Sequence, residues 1–129
     1  MSRERFELTR TQFDRALTRL SEALNENETS FMRDAVIQRF EFTYELSWKC
    51  LFYWLRDNGE KVPEVVRPVI QAAFKAGLID DADQWERIKK YRDETSHAYD
   101  EGKAIEVAGF IRSHAESAFT ALSKKLAGL

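Results

Sequence analysis

The chain has 129 residues, of which 43% are hydrophobic and 33% charged, and its formal net charge is −2. This length and balance predict one folded domain over residues 1–129 and exclude an intrinsically disordered chain. Because 20 basic residues stand against 22 acidic ones, binding of nucleic acid through net charge alone is excluded, and any RNA contact has to be local.

Few residues interrupt the chain or suggest an unusual environment. Two prolines and five glycines favour long helices over many short strands. The single cysteine, Cys50, excludes an internal disulfide and a multi-cysteine metal site, as is typical of a reducing cytoplasm. No apolar run approaches the roughly 20 residues of a membrane span, and the first residues lead into no apolar signal region. We therefore expect a soluble, cytoplasmic protein.

The first predicted helix covers residues 3–25. Its apolar positions recur at helical spacing, with charged residues between them: Phe6, Phe13, Leu17, Leu20 and Leu24. A polar stretch over residues 25–30 breaks this pattern. Thr29 or Ser30 can cap the helix that follows.

The second predicted helix, residues 31–57, carries two apolar stripes. The first stripe is Val36, Ile37, Phe40, Tyr44, Trp48, Leu51 and Leu55, and the second is Phe42, Leu46, Cys50 and Tyr53. Two stripes predict burial on two sides, as in a central helix or one that also forms a subunit interface. Cys50 lies within a stripe and is interpreted as a small core residue. Asn58 and Gly59 end the helix.

The second half of the chain predicts three more helices. A short one covers residues 64–76 and ends at Gly77. A long one, capped by Asp80 or Asp81, covers about 82–99, and a turn near 100–102 leads into the last. Expected core contacts in these two long helices are Trp85, Ile88, Tyr91, Val107, Ile111, Ala115, Ala118, Leu122 and Leu126. Four long helices and one short one predict an all-α, up-and-down four-helix bundle with one additional short helix.

The polar segment 91–99 contains the candidate catalytic residues. His97 can carry a proton near neutral pH, Asp93 can orient its imidazole, and Arg92 presents a planar fork to phosphate. On one helix Asp93 and His97 share a face, whereas Arg92 and His97 lie about 140° apart. Two such helices meeting across a two-fold axis could bring both groups to one point. The alternative is a local hydrogen bond between Asp93 and His97 with no catalytic role.

Three further residues have more than one interpretation. Glu41 and Glu45, one turn apart, could hold a divalent cation with other oxygens. Pairing of Glu45 with Lys49 in an ion-pair ladder is the simpler account, and both glutamates could instead face Arg92 across the bundle. His114, in the last helix, is expected to be a partly buried structural residue. No motif in the sequence requires a cofactor or a metal.

Three segments carry a resemblance to a known family. The string Arg92-x4-His97-x-Tyr99 resembles the signature of the HEPN superfamily, in the form found in toxins paired with minimal nucleotidyltransferase antitoxins. Residues 37–49 and 68–79, together with Trp85, are similar to its subgroup of nucleotidyltransferase substrate-binding proteins. The resemblance runs from about residue 5 to the C-terminus.

The resemblance implies a function and its partners. It implies a homodimer whose Arg/His helices meet, assembly with a separately encoded minimal nucleotidyltransferase, and RNA as the substrate. The chain would then be the toxin of a type II toxin–antitoxin pair and a metal-independent endoribonuclease, with Arg92, Asp93 and His97 catalytic and Tyr99 the acceptor of AMP. The subgroup often has Asn where this chain has Asp93, which adds negative charge near the RNA phosphate. The alternative is a non-catalytic substrate-binding or scaffold subunit of a two-component nucleotidyltransferase.

Overall fold

Six α-helices make up most of the computed structural model, which describes residues 3–129. They are α1 (Glu4–Leu24), α2 (Ser30–Asp57), α3 (Val66–Lys75), α4 (Ala82–Glu94), α5 (Glu101–Phe110) and α6 (Glu116–Ala127). A 3₁₀ turn, Thr95–His97, follows α4, and a π-helical turn, Ile111–Ala115, joins α5 to α6 as one continuous rod. Residues 3–129 contain no strand, so the all-α prediction is confirmed. Residues 1 and 2 of the predicted domain lie outside the described part.

The α5–α6 rod runs antiparallel to α1. Arg112, in the middle of the rod, donates a hydrogen bond to the carbonyl of Leu24 at the end of α1 (3.4 Å). Further along the rod, Ser123 donates to the carboxylate of Asp14, near the middle of α1 (2.7 Å). Because the loop between α1 and α2 is short, α2 also runs antiparallel to α1.

Helix α4 runs antiparallel to the same rod. The ring of Tyr91, near the end of α4, stacks on Phe110 with centroids 4.0 Å apart. Trp85, near the start of α4, meets Phe119 in α6 edge-on at 5.8 Å. The directions of α1, α2, α4 and the rod therefore alternate, which confirms the up-and-down four-helix bundle. Helix α3 is the additional short helix and packs against α2 and α4.

The apolar stripes differ in how fully they are buried. The whole first stripe of α2 is buried, as are all the positions predicted for the last helix. In the second stripe only Cys50 is fully buried, while Leu46 and Tyr53 are half-buried and Phe42 is 36% exposed. Within a single chain, the predicted burial of α2 on a second side is therefore incomplete.

The helix ends follow the predicted local chemistry. Of the predicted caps, Thr29 and Asp81 each accept a hydrogen bond from the backbone amide three residues further on, at 3.1 and 3.0 Å. Asp100, predicted only as part of a turn, caps α5 in the same way at 2.9 Å. Gly59 and Gly77 have φ angles of 86° and 79°, the left-handed backbone in which glycine is favoured.

The helix predicted over residues 82–99 is too long. Helix α4 ends at Glu94, and the Thr95 hydroxyl donates back to the carbonyl of Arg92 (2.7 Å). The chain then forms the 3₁₀ turn, in which the amide of Ala98 donates a hydrogen bond to the carbonyl of Thr95 (3.1 Å). Helix α5 accordingly begins at Glu101, within the stretch predicted as a turn.

No helix in residues 3–129 is both long enough and apolar enough to cross a lipid bilayer.

Candidate functional site

An arginine lies between two carboxylates where α4 meets α2. Arg92 is in the last turn of α4, and its Nη1 lies 3.3 Å from Oε2 of Glu41 while its Nε lies 3.6 Å from Oε1 of Glu45. The two glutamates are four residues apart on α2 and therefore share one face. All three side chains are about one-third exposed. The interpretation that both glutamates face Arg92 across the bundle is confirmed.

Thr95 links Arg92 to Glu41. Its hydroxyl accepts a hydrogen bond from Nη1 of Arg92 (3.1 Å) and lies 2.9 Å from Oε2 of Glu41, to which it can donate. The same hydroxyl can donate to the Arg92 carbonyl, but with a single proton it makes one of these donations at a time. Sequence reasoning missed Thr95. The available signal was a threonine three residues after an arginine at a helix end, where a hydroxyl can bond back to the backbone.

The second oxygen of Glu45 is taken by a tryptophan. The indole Nε1 of Trp48 donates to Oε2 of Glu45 (3.1 Å). The ammonium of Lys49 lies over the Trp48 ring, 5.9 Å from its centroid. The predicted Glu45–Lys49 ion-pair ladder is therefore wrong, because Glu45 is turned towards Arg92 and the indole.

The seam between α2 and α4 contains polar atoms without partners. Within residues 3–129, neither the buried Nε of Arg92 nor the buried hydroxyl of Tyr44 has a hydrogen-bond partner. Burial raises the pKa of Tyr44, and the carboxylates of Glu45 and Asp93 raise it further, while Arg92 opposes them. On Arg92, Nη2 makes no hydrogen bond with the described chain and is not buried. It is the one guanidinium nitrogen that is neither buried nor hydrogen-bonded to the described chain.

The structure separates Asp93 from His97. The carboxylate of Asp93 accepts a hydrogen bond from Nζ of Lys89, one turn back on α4 (2.9 Å). His97 lies in the 3₁₀ turn, is exposed, and contacts the ring of Tyr99 edge-on at 6.2 Å. In the described chain the expected Asp93–His97 hydrogen bond is not formed, because α4 ends before His97. Tyr99 is 87% exposed.

The remaining candidates lie in the core or at its edge. His114, in the π-helical turn, is partly buried, stacks on Phe110 at 5.2 Å and lies 2.6 Å through Nδ1 from the hydroxyl of Ser113. This agrees with its predicted structural role. Cys50 is buried, and burial raises its pKa to about 12. Among residues 3–129, no three His, Cys, Asp or Glu side chains are placed to hold a metal ion together.

Fold and motif together define a class of protein: an all-α bundle with an arginine at the end of one helix and a histidine and tyrosine in the next turn. Residues 8–128 match the family described as nucleotidyltransferase substrate binding protein like. The chain belongs to this family. The resemblance inferred from the residues is confirmed.

Two solved structures have the same fold. A protein from Thermus thermophilus is 31% identical, with a TM-score of 0.72 over 90% of this chain and 96% of that one. A protein from Haemophilus influenzae, described as having the fold of a substrate-binding domain of a nucleotidyltransferase, is 23% identical. Its TM-score is 0.70 over 95% of this chain and 96% of its own, and at that identity it shows the fold alone.

A curated relative carries a ribonuclease name. It is "Probable ribonuclease HepT" from Haemophilus influenzae, 35% identical over 75 residues. The matched segment is 55% of this chain and 51% of the relative, so the chain spans about half the length of the relative it matches.

Proposed function

We propose that the protein is a metal-independent endoribonuclease and the toxin half of a toxin–antitoxin pair, acting in the cytoplasm with a separately encoded minimal nucleotidyltransferase. The observation that carries the proposal is the end of α4, where Arg92 has a fixed position and an exposed His97 follows in the next turn. A phosphate-binding cation and a proton carrier are the two groups that RNA cleavage needs. The family match and the name of the curated relative support this choice.

The reaction uses the nucleophile that RNA itself supplies. The 2′-hydroxyl loses its proton as its oxygen attacks the adjacent phosphorus, the bond from phosphorus to the 5′-oxygen breaks, and the 5′-oxygen gains a proton. His97 accepts or delivers one of these protons, since an imidazole exchanges protons near neutral pH. Arg92 stabilises the charge that develops on the phosphoryl oxygens.

In the single chain, only part of the Arg92 guanidinium group is available to bind a phosphate. Nη1 is engaged by Glu41 and Thr95, so Nη2 alone is free to meet a phosphate. In this proposal the Arg92 guanidinium becomes available for bidentate contact when phosphate displaces Glu41, while Asp93 stays paired with Lys89 and does not orient His97. A homodimer with α4 near its two-fold axis adds a second Arg92 and His97 to the same site.

Tyr99 is the proposed point of control. At 87% exposure its hydroxyl is accessible to a partner enzyme. The phenolic oxygen would attack the α-phosphorus of ATP, lose its proton and release pyrophosphate, leaving AMP on the ring. The added phosphate would repel RNA from the neighbouring His97, whose ring contacts Tyr99.

The test compares the two histidines of the chain. In buffer containing EDTA, His97→Ala should lower RNA cleavage by roughly two to four orders of magnitude, the usual contribution of a general acid or base. His114→Ala is the matched control and should cleave RNA like the wild type. If the wild-type protein cuts no RNA without metal, or if His97→Ala cuts as fast as wild type, the nuclease proposal fails.

A second candidate is a non-catalytic subunit that presents a substrate to the nucleotidyltransferase. The observation that favours it is the pair of carboxylates on Arg92, which offset the positive charge that an RNA phosphate would meet. This candidate predicts a stable complex with the partner and transfer of AMP that depends on the complex. It also predicts no cleavage of RNA by either protein.

A further inference from the structure

Two basic stripes on neighbouring helices form one surface, exposed along α1 and partly exposed along α2, which we name the α1–α2 face. Both stripes repeat every three or four residues and so follow one side of each helix. On α1 the stripe is Arg5, Leu8, Gln12, Arg15 and Arg19, and on α2 it is Arg39, Phe42, Leu46, Lys49, Tyr53 and Arg56.

Contacts at both ends show that the stripes lie side by side. Nη1 of Arg39 donates to the backbone carbonyl of Arg19 (2.7 Å). At the opposite end, the guanidinium of Arg5 lies over the ring of Tyr53, 5.3 Å from its centroid. The antiparallel packing of α1 and α2 therefore joins the stripes along their length. From residue 5 to residue 19 this is about 21 Å at 1.5 Å per residue.

The face is basic in a chain whose net charge is −2. Six of its residues are arginine or lysine, and in the described chain only Arg56 forms an ion pair with a carboxylate, that of Asp57 (3.4 Å). Carboxylates border the face. Asp14 lines one shallow pocket with Arg15 and Arg19, but it is within 3.6 Å of Arg10 and accepts a hydrogen bond from Ser123. Glu45 is turned towards Arg92. One side of the bundle is therefore basic, although the net charge of the whole chain is negative.

Aromatic and guanidinium planes are interleaved with these charges. Tyr53 is flanked by the guanidinium groups of Arg5 and Arg56, at 5.3 and 5.0 Å. Phe42 is 36% exposed. Unpaired bases stack on aromatic rings and on arginine guanidinium planes, and proteins that hold single strands combine such planes with a cationic groove along the backbone.

We propose that the α1–α2 face binds single-stranded RNA through its phosphates, with bases stacking on the ring of Phe42 and on the arginine guanidinium planes. The proposal rests on the proposed function, because it names the surface that holds the ribonuclease's substrate. Since α2 carries both Lys49 of this face and Glu45 of the Arg92 site, a strand on the face passes beside Arg92. An acidic protein would meet the same cations but has fewer planar groups to stack on Phe42 and on the guanidinium groups.

The test measures binding apart from cleavage, in the full-length His97→Ala protein. Fluorescence anisotropy of a labelled oligouridine reports the Kd at several salt concentrations. Arg15→Gln with Arg19→Gln should weaken binding and lower the slope of log Kd against log salt by about 1.4, the value for two phosphate contacts on a single strand. The matched control, Lys124→Gln with Lys125→Gln, removes the same charge from exposed residues of α6 and should bind like the parent.

Each outcome decides the proposal separately from the nuclease function. If the Arg15/Arg19 variant binds as the parent does, or if the Lys124/Lys125 variant weakens binding equally, the face is not the RNA site. If an oligoglutamate peptide binds as tightly as oligouridine and loses affinity in the Arg15/Arg19 variant, the face is instead a surface for an acidic protein. RNA that binds here but is not cut by the wild type would overturn the nuclease proposal alone.

Discussion

The centre of the bundle and the α2–α4 seam both include side chains of α2, but these side chains differ in polarity and in exposure to solvent. At the centre Phe13, Phe40 and Phe119 are fully buried, with Phe119 6.1 Å from each of the other two rings. At the seam Glu41 and Arg92 are one-third exposed. These two side chains form an ion pair there, and the buried Nε of Arg92 has no hydrogen-bond partner in the described chain. The seam therefore departs from what folding alone favours, as expected of a functional site.

Trp48 lies between these regions and gives the largest expected effect on stability. It is 8% exposed in the core, and its Nε1 bonds to Glu45 in the seam. Trp48→Ala should lower the free energy of unfolding by roughly 3–5 kcal/mol, because a large ring is removed from a packed core. Urea denaturation followed by circular dichroism measures this change.

The control separates packing from the hydrogen bond. Trp48→Phe keeps an aromatic ring but loses the bond to Glu45, so it should retain a substantial part of the stability that Trp48→Ala loses. An unchanged urea midpoint in Trp48→Ala would show that α2 is not the central helix.

The Arg92–Glu41 pair should contribute a smaller amount. Both side chains are about one-third exposed, so water screens their attraction, and a double-mutant cycle with Arg92→Met and Glu41→Gln should give a coupling of about 0.5–1 kcal/mol. The matched pair is Arg67–Glu86, at 2.7 Å but more than half exposed, whose coupling should be smaller. Equal couplings would mean that the seam holds its charges no more firmly than the open surface does.

The positions buried in the core could be predicted because helical spacing alone identifies the face of α2 that contains Phe40 and Leu51. The end of α4 could not. Periodicity continues through Tyr99, whereas the 3₁₀ turn depends on the bond from Thr95 to a backbone carbonyl and on its contact with Glu41, which is 54 residues away in the chain. A contact of that kind is set by packing, not by local pattern.

The candidate site, like the end of α4, could be predicted only in part from the sequence. The placement of Glu41 and Glu45 opposite Arg92 was one of three interpretations, and packing of α4 on α2 selected it. The Lys49 alternative failed because pairing at a spacing of four residues is weak and Trp48 offers Glu45 another partner.

Of these substitutions, Tyr44→Phe is expected to change the free energy of unfolding least, and to raise it rather than lower it. The Tyr44 hydroxyl is buried without a partner in the described chain, so its removal relieves an unsatisfied group and should leave the free energy of unfolding at pH 7 unchanged or raised by up to about 1 kcal/mol. Burial raises the pKa of this phenol. The wild type therefore keeps its full stability below the unfolded tyrosine pKa of about 10 and loses part of it as the pH rises above that value, whereas the variant lacks this loss. Urea denaturation at pH 7 and above pH 10 tests both statements, with Tyr91→Phe, whose hydroxyl bonds to Glu106 at 3.3 Å, as the control at pH 7. A Tyr44→Phe protein clearly less stable than the wild type at pH 7 would show that the hydroxyl is hydrogen-bonded in solution and that the seam is better satisfied than its protein atoms indicate.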